Sequence, residues 1–240
     1  MSGLDTGPSG PRVKRAAILS LACWLLTVSA AAAAADSSHG LDGIWLIEKS
    51  QRAAHTIDGR LPPLLPAAKA RYQKQLEARR RGDTSFDKTT WCAAAGVPRL
   101  MLEPYPFEIL VNPRQTAFMY EWNRWARLVD MTGNDLQPLY PLNFGTANGH
   151  FEGDVLVIVT KGLSKDTYLD RSGLPHTDHM VLTERLKRIR PDVMEDRMRI
   201  EDPETYSAPW ETLATYKRQS YGRLKEDVCL DRIKQGRPAI

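Results

Sequence analysis

The stretch HFEGDVLVIVTKGLSKDTYLDRSGLPHTDHMVLTERLKRI, residues 150–189, decides the fold. It contains two apolar runs of strand length, 154–160 and 179–189. A polar connection that includes Gly173 and Pro175 separates them, and it shows no helical spacing of apolar residues. Consecutive strands that are joined without a helix pair in the antiparallel direction. The stretch therefore predicts two neighbouring antiparallel strands.

Other parts of the chain are punctuated in the same way, with short apolar runs separated by turns. These runs are GLDGIWLIEK (40–49), FEILV (107–111), TAFMYEW (116–122), ARLVDM (126–131), MEDRMRIED (194–202) and ETLATYKR (211–218). A twisted sheet of seven or eight strands either closes on itself or needs a cover. The sequence thus predicts a mainly β protein, an antiparallel up-and-down barrel or strongly curved sheet, lipocalin-like in outline.

One long helical pattern, PPLLPAAKARYQKQLEARRRG at residues 62–82, precedes most of these strands. Its apolar side chains fall near one stripe, which holds Leu64, Leu65, Ala68, Tyr72 and Leu76. Lysines and arginines occupy the other faces, and Gly82 is a natural stop. We expect this main helix to pack at the mouth or the side of the barrel.

The first 35 residues have the pattern of a secretory signal peptide: a basic start, an apolar segment and an alanine run. Cleavage near Ala35/Asp36 leaves residues 36–240 as a single β-rich domain, periplasmic or secreted, without stable membrane insertion. The alternative is an uncleaved anchor, because the apolar run 16–35 is 20 residues long and just spans a bilayer.

The charge of the chain argues against a nucleic-acid partner. Removing residues 1–35 takes away three basic residues and one acidic residue, which lowers the formal net charge from +4 to +2. A nucleic-acid-binding domain needs a concentrated basic face. The local run EARRRGD at 77–83 is better explained as the solvated end of a helix.

Cys92 and Cys229 are the two cysteines that remain after cleavage. In an oxidising compartment we expect them to form a disulfide bond. Two buried free thiols are the alternative. A bonded pair leaves no cysteine to act as a nucleophile.

An ordered set of short motifs resembles a known family. The chain contains EGDVLVIVT (152–160), YLDRSGLPHTD (168–178), LTERLKR (182–188), IEDPETYSAPW (200–210) and KEDVC (225–229). This order is similar to a large family of secreted bacterial proteins with the motifs W-x-G-D-x-L-V-V-x-T, G-x-P-x-S/T-E, E-R, D-P-x-x-Y-x-x-P-W and E-x-x-C. The resemblance covers roughly residues 40–230. It implies a signal peptide and a compact β-rich domain, and it brings no activity.

Glu184 is the most informative polar position. In HMVLTERLKRI it shares one strand face with Met180, Leu182 and Leu186, because side chains alternate between the two faces of a strand. A carboxylate on an apolar face must be paired, hydrogen-bonded or protonated. Glu184 is therefore either the partner of a buried arginine such as Arg127, or a carboxylate that serves a ligand or a reaction in a barrel cavity.

Glu121 raises the same question on an earlier strand. In TAFMYEW the aromatic side chains lie on one face and Glu121 lies on the other, and the pattern leaves open which face points inward. If the Glu121 face points inward, Glu121, Arg127 and Glu184 form one charged cluster on the barrel wall. Otherwise Glu121 belongs to an ordinary cross-strand ion pair.

The loop before the second strand of the opening stretch carries Asp170, His176, Asp178 and His179. Together with His150 these residues suggest a metal site, but their spacing matches no metal-binding signature, so we expect no metal. The alternative is that the polar side chains cap turns. The chain contains no G-x-S-x-G, P-loop, dinucleotide-binding or H-E-x-x-H motif, and we expect no cofactor.

These observations favour a periplasmic or secreted protein that binds a small apolar or aromatic ligand in a barrel cavity. The ligand-binding candidates are Glu184, Arg127, His176, Glu121 and Asp170. The first alternative is a cofactor-free isomerase, lyase or hydrolase that uses Glu184 or His176 as general acid/base. The second is an envelope structural or interaction protein whose barrel is filled by its own side chains.

Overall fold

The fold is a closed barrel, which the computed structural model describes over residues 39–238. Strands that follow one another in the chain are neighbours in the sheet. The nine strands are β1 (Gly43–Ile47), β2 (Phe107–Val111), β3 (Gln115–Tyr120), β4 (Ala126–Asp130), β5 (Thr146–Glu152), β6 (Val155–Lys161), β7 (Val181–Arg190), β8 (Val193–Glu201) and β9 (Trp210–Arg218). The predicted mainly β barrel with up-and-down connectivity is confirmed.

The opening stretch forms β6 and β7, which pair antiparallel as predicted and place Ile158 opposite Glu184. Inward-pointing side chains of the barrel strands form much of the core. Large ones among them include Trp45, Phe107, Phe118 and Tyr216, all of which are almost fully buried. The core combines such aromatic side chains with many aliphatic ones, and they alternate with outward-pointing residues along each strand.

One junction of the barrel is parallel. β4 and β5 are joined through a single residue pair, Asp130 with Asn148, and the other eight junctions are antiparallel. A closed ring with an odd number of strands cannot reverse direction at every junction, so nine strands require such an exception. Segment 131–145 consequently travels back along the barrel before β5 begins. The Asn148 side chain holds it by bonding the main-chain nitrogen and oxygen of Leu136, at 3.0 and 2.9 Å.

Strand β5 is absent from the strands predicted from sequence. Its sequence, TANGHFE, lacks a run of large apolar side chains. The buried positions Ala147 and Gly149 are small because neighbours occupy the space. A Cβ atom on Gly149 would lie 2.7 Å from Met131 Sδ and 2.8 Å from Val129 Cγ1. The apolar atoms that bury β5 therefore come from other segments, and a pattern search along the strand itself does not find them.

The predicted main helix is α1 (Pro66–Arg80), which begins with proline at its first turn. The other α-helices are short: α2 (Arg99–Leu102) and α3 (Cys229–Lys234). Helix α1 packs on the connection between β6 and β7, where the Tyr72 hydroxyl lies 2.6 Å from Ser172 Oγ. The polar side chain of Gln75, on the same buried face, donates to the Tyr168 hydroxyl at 3.0 Å.

The disulfide between Cys92 and Cys229 is present, with the two Cα atoms 5.6 Å apart, which confirms the predicted pairing. It fixes α3 near the C-terminus to the segment that precedes α2. The predicted signal peptide, residues 1–35, lies outside the described residues. Within residues 39–238, no helix has both the length and the apolar character that crossing a bilayer requires.

Candidate functional site

A buried ion pair lies inside the barrel. Arg127 on β4 donates from Nη1 to Oε1 of Glu184 on β7 at 2.9 Å, and its Nη2 contacts the other carboxylate oxygen. The same Nη2 donates to Thr160 Oγ1 at 2.8 Å. The guanidinium group also lies 5.4 Å from the ring centre of Phe118. Two-point pairing of this kind is the strong, directional form of the arginine–carboxylate interaction.

The sequence predicts that Glu184 and Arg127 line an accessible cavity, and that ligand-binding role stays a prediction. Neither side chain has any exposed area, so no water-sized sphere touches them and a ligand reaches them only if the barrel opens. Glu184 and Arg127 form the buried ion pair that was the alternative for Glu184. The general acid/base role considered for Glu184 meets the same obstacle, because such a group must come within hydrogen-bonding distance of its substrate.

Asp196 on β8 is the third member of this cluster, a position for which the sequence makes Glu121 a candidate. It is fully buried, and neither of its carboxyl oxygens has a hydrogen-bond partner among residues 39–238. Burial and then the negative charge of Glu184 raise the pKa of Asp196 well above its ordinary value, although Arg127 opposes the shift. The barrel interior thus holds the Arg127–Glu184 ion pair and favours the protonated, neutral form of Asp196.

Replacing Asp196 with asparagine is expected to stabilise the protein near neutral pH and to flatten its pH dependence. The raised pKa means that folded Asp196 keeps a proton that the unfolded chain releases above about pH 4. The free energy of unfolding therefore falls as the pH rises from the unfolded pKa toward the folded one. Asparagine does not titrate and removes this loss.

Urea unfolding between about pH 4 and pH 9 measures this effect, because the slope of stability against pH reports the difference in bound protons. Glu195→Gln, one residue away on the same strand and only half-buried, is the matched control. An Asp196→Asn variant with the slope of the wild type would contradict the assignment of Asp196 as a buried neutral acid.

His176, predicted at the rim of a ligand site, is almost fully buried and both ring nitrogens are occupied. Nδ1 lies 2.9 Å from the carbonyl oxygen of Thr177, and Nε2 lies 2.9 Å from Thr167 Oγ1. A nitrogen that faces a carbonyl must carry the proton, so Nδ1 carries it in the neutral ring, and the single hydroxyl hydrogen of Thr167 faces both Nε2 and the Ser164 carbonyl oxygen, the latter at 2.8 Å. Burial lowers the pKa of His176, which favours this neutral form. His176 is thus enclosed by protein groups on both ring nitrogens, and its role at the rim of a ligand site stays a prediction.

Asp170 closes a turn instead of facing a ligand. Its Oδ1 accepts from Ser172 Oγ at 2.6 Å, from Gly173 N at 3.0 Å and from Leu174 N at 3.1 Å. Its Oδ2 accepts from Ala54 N at 2.8 Å. The side chain is fully buried and caps the turn, as in the turn-capping alternative, and a ligand-binding role for Asp170 stays a prediction.

The residues that suggested a metal site are not brought together. Each has its own partner: His150 contacts Glu152, Asp178 accepts from the Lys165 amide, and His179 contacts Glu204. Within residues 39–238, no three histidine, cysteine, aspartate or glutamate side chains converge on one point.

Glu121 lies at the turn between β3 and β4, outside the charged cluster. Phe118, Tyr120 and Trp122 are buried, so the aromatic face of this strand is the inward one. Glu121 Oε2 accepts from the main-chain nitrogen of Lys225 at 2.9 Å.

Two left-handed residues follow Glu121. Asn123 and Arg124 have φ angles of 57° and 54°. Such a conformation costs a residue other than glycine on the order of 1–3 kcal/mol and persists only where its surroundings enforce it. The turn is therefore held in a specific shape by the groups around it.

The C-terminal segment 225–232 supplies those groups. Asp227 Oδ2 accepts from the Asn123 amide at 3.0 Å, and Arg232 pairs with Asp227 while donating to Asn123 Oδ1 at 3.3 Å. The disulfide at Cys229 adds a covalent attachment. Segment 225–232 thus forms a fixed wall beside the turn.

A groove of about 470 Å³ lies between this wall and the outer face of β2 and β3. Its apolar lining includes Leu110, Met119 and Leu224. Its charged lining residues are Glu108, Arg124, Lys225 and Glu226, of which Arg124 and Glu226 form an ion pair at 3.3 Å. The volume falls within the range of small-molecule sites.

No protein-family model matches the chain, and a search of curated proteins finds no significant relative. The groove is therefore described from the geometry of this chain alone. Its apolar surface continues beyond the lining residues, because the register places Leu110 beside Ala117 and Ala117 beside Leu128. Leu110 and Leu128 are 46% and 55% exposed. The sequence identifies Glu121, which bonds to the Lys225 amide, but it does not predict the groove. The far wall of the groove comes from residues about a hundred positions later in the chain.

Proposed function

We propose that this protein is a periplasmic or secreted binding protein for a small apolar or aromatic ligand. The ligand lies in the external groove over β2 and β3, and the barrel acts as its rigid support. The observation that carries the proposal is the groove itself: about 470 Å³, with Leu110, Met119 and Leu224 among its lining residues. An apolar surface bordered by a few charged groups is the usual composition of such sites.

Binding is favoured over catalysis by the state of the acid/base candidates. Glu184 is enclosed with Arg127, and both nitrogens of His176 are occupied. The groove lining contains no histidine, serine or cysteine. Its glutamates stand beside Arg124 and Lys225 without an arranged nucleophile, so the lining can hold a ligand but has no evident reaction to perform on it.

The rigidity of the groove supports the same proposal. The left-handed turn at Asn123 and Arg124 is held by Asp227, and the disulfide fixes the wall behind it. A site that is already shaped loses little conformational entropy when the ligand binds. The disulfide also fits an oxidising compartment, in line with the signal peptide predicted for residues 1–35.

The fluorescent apolar probe N-phenyl-1-naphthylamine tests the groove. We expect the wild type to bind it, and Met119→Lys to weaken binding at least about tenfold, because a charged ammonium group takes the place of an apolar lining atom. Thr183→Lys on the outward face of β7 adds the same charge away from the groove and serves as the control. A wild type that does not bind the probe, or equal losses in both variants, would sink the proposal. Mass spectrometry of the gently purified protein then seeks the natural ligand.

An envelope interaction protein is the second candidate function. Segment 131–145 presents Leu139 at 94% and Tyr140 at 64% exposure on the outside of the barrel. We infer from these adjacent exposed apolar residues a site of contact with another protein, since large exposed apolar patches often serve that purpose. Photo-crosslinking from position 139 in intact cells distinguishes the two functions, since a groove that only binds a small molecule yields no specific protein adduct.

A further inference from the structure

We propose a second binding site, for a small oxyanion, at the point where β1 separates from β9. The two strands pair from Trp45 to Ile47, Glu48 N still donates to Thr215 O at 2.8 Å, and the segment that follows lines a cleft beside β9. The space between them is a cleft of about 560 Å³. It shares no lining residue with the groove over β2 and β3, so this proposal does not depend on the function proposed above.

The cleft is preformed, because its outer wall is bonded to the barrel at several points. Glu48 N donates to Thr215 O at 2.8 Å, and Gln51 Nε2 donates to Leu213 O at 2.7 Å. Gln51 N also donates to Leu102 O at 3.1 Å. Residues 48–51 are thus fixed at a set distance from β9.

The inner wall offers main-chain donors. In an antiparallel strand the N–H and C=O groups of one residue point to the same side. Since the carbonyl groups of Leu213 and Thr215 face residues 48–51, their amide groups face the same cleft. Amide groups directed outward from a strand that has lost its neighbour form a favourable setting for an anion.

The side chains around the cleft carry a positive balance. Lys49 and Arg52 line it together with His55, and Glu48 is the one carboxylate among the lining residues. Neither Lys49 nor Arg52 forms an ion pair within residues 39–238. Both are exposed, and so are available to a ligand from solvent. Arginine in particular recognises carboxylate and phosphate groups through two parallel hydrogen bonds.

Arg52 also extends the site toward a neighbouring cavity of about 130 Å³, which is lined by Arg52, Glu103 and Arg171 among others. Arg171 is already bonded to Glu103 at 2.8 Å, so Arg52 is the cation at this junction that remains for a ligand. The arrangement fits a small oxyanion that accepts from the β9 amides while Lys49 and Arg52 supply positive charge.

Isothermal titration with citrate and, separately, with inorganic phosphate tests this site, with chloride at equal ionic strength as the reference. We expect at least one of the two anions to bind, and the double variant Lys49→Gln/Arg52→Gln to bind it at least about tenfold more weakly. Lys74→Gln/Arg80→Gln, on the exposed face of α1, removes the same charge elsewhere and should change affinity less than about twofold. Binding of citrate alone identifies a carboxylate ligand, and binding of phosphate alone identifies a phosphate ligand.

Amide NMR of the wild-type protein supplies a readout that needs no variant. On addition of the binding anion, the N–H resonances of Leu213 and Thr215 should shift more than those of β7, which lies away from the cleft. The proposal is overturned if neither anion binds more tightly than chloride. It is also overturned if the Lys49→Gln/Arg52→Gln variant retains wild-type affinity, or if the Leu213 and Thr215 signals stay in place.

Discussion

Arg127→Met is expected to lower the thermal midpoint by about 10 °C near neutral pH, because it leaves the Glu184 carboxylate buried without its counter-charge. Breaking a fully buried ion pair from one side costs roughly 3–5 kcal/mol. For a domain of this size, each kcal/mol corresponds to about 2–4 °C. Thermal unfolding followed by circular dichroism measures the change. Both side chains have zero exposure, so no solvent reduces the effect.

The double variant Arg127→Met/Glu184→Gln provides the internal test. It removes both charges, and we expect it to recover most of the lost stability, as neutral replacements of buried pairs commonly do. Arg185→Met is the matched control on the outward face of β7: its ion pair with Glu152 is exposed, and its loss should cost less than about 1 kcal/mol.

Glu184→Gln alone should cost less than Arg127→Met. Asp196 loses the neighbouring negative charge that raises its pKa and becomes a replacement partner for Arg127. A drop of under about 3 °C for Arg127→Met would contradict the structural role assigned to the pair.

Removal of the disulfide is the second change with a large expected effect. Cys92 and Cys229 are separated by 137 positions, and closing a loop of this length stabilises a protein by up to about 5 kcal/mol through the unfolded state. We expect Cys92→Ser/Cys229→Ser to lower the thermal midpoint by roughly 10 °C. The wild type unfolded in the presence of a reductant should give the same midpoint.

The same variant also affects the groove. Cys229 begins α3 and anchors the wall formed by segment 225–232, so the double serine variant should bind N-phenyl-1-naphthylamine more weakly even at temperatures where it is folded. Leu230→Ser, an exposed position on the same helix, leaves the bond intact and is the control. Unchanged stability in the double serine variant would mean that the side-chain contacts of segment 225–232 hold it without the covalent bond.

The barrel and its main helix were predictable because strand alternation and helix spacing are local properties of the sequence. Most strands have the alternation that was recognised, and α1 lies within the predicted range, although its buried residues are Tyr72 and the polar Gln75. Strand β5 was not predictable in this way, since it lacks large apolar side chains and Gly149 leaves room for Val129 and Met131 from elsewhere. The parallel junction follows from closing nine strands into a ring, which no single segment encodes.

The sequence predicted two of the three residues of the charged cluster. Alternation placed Glu184 on an inward face, and Arg127 was its named partner. Asp196 carried the same signal, because in MEDRMRIED it alternates with Met194, Met198 and Ile200, all buried. The sequence does not reveal whether such a cluster borders empty space, since that depends on how the side chains of nine strands fill the interior.

Some motif residues contact one another. The Tyr206 hydroxyl donates to Pro175 O at 2.8 Å, and the Thr177 amide donates to Asp202 Oδ2 at 2.7 Å. Two of the other motifs form most of β6 and β7, and KEDVC (225–229) supplies Lys225 and Glu226 to the groove. Membership in the secreted family that they resemble stays a prediction.

The single residue pair between β4 and β5 divides the barrel into two arcs that can be assembled separately. The arc β2–β3–β4 and the arc β5 to β9 each consist of strands consecutive in the chain, so most of their contacts are local and form with a small entropic cost. β1 bonds to both β2 and β9 and so joins the arcs on the opposite side. Of these strands, the ribosome makes β1 first. Its position in the ring stays open until β9, the last strand of the barrel, has been synthesised, so the barrel closes only after β9 is available to pair with β1.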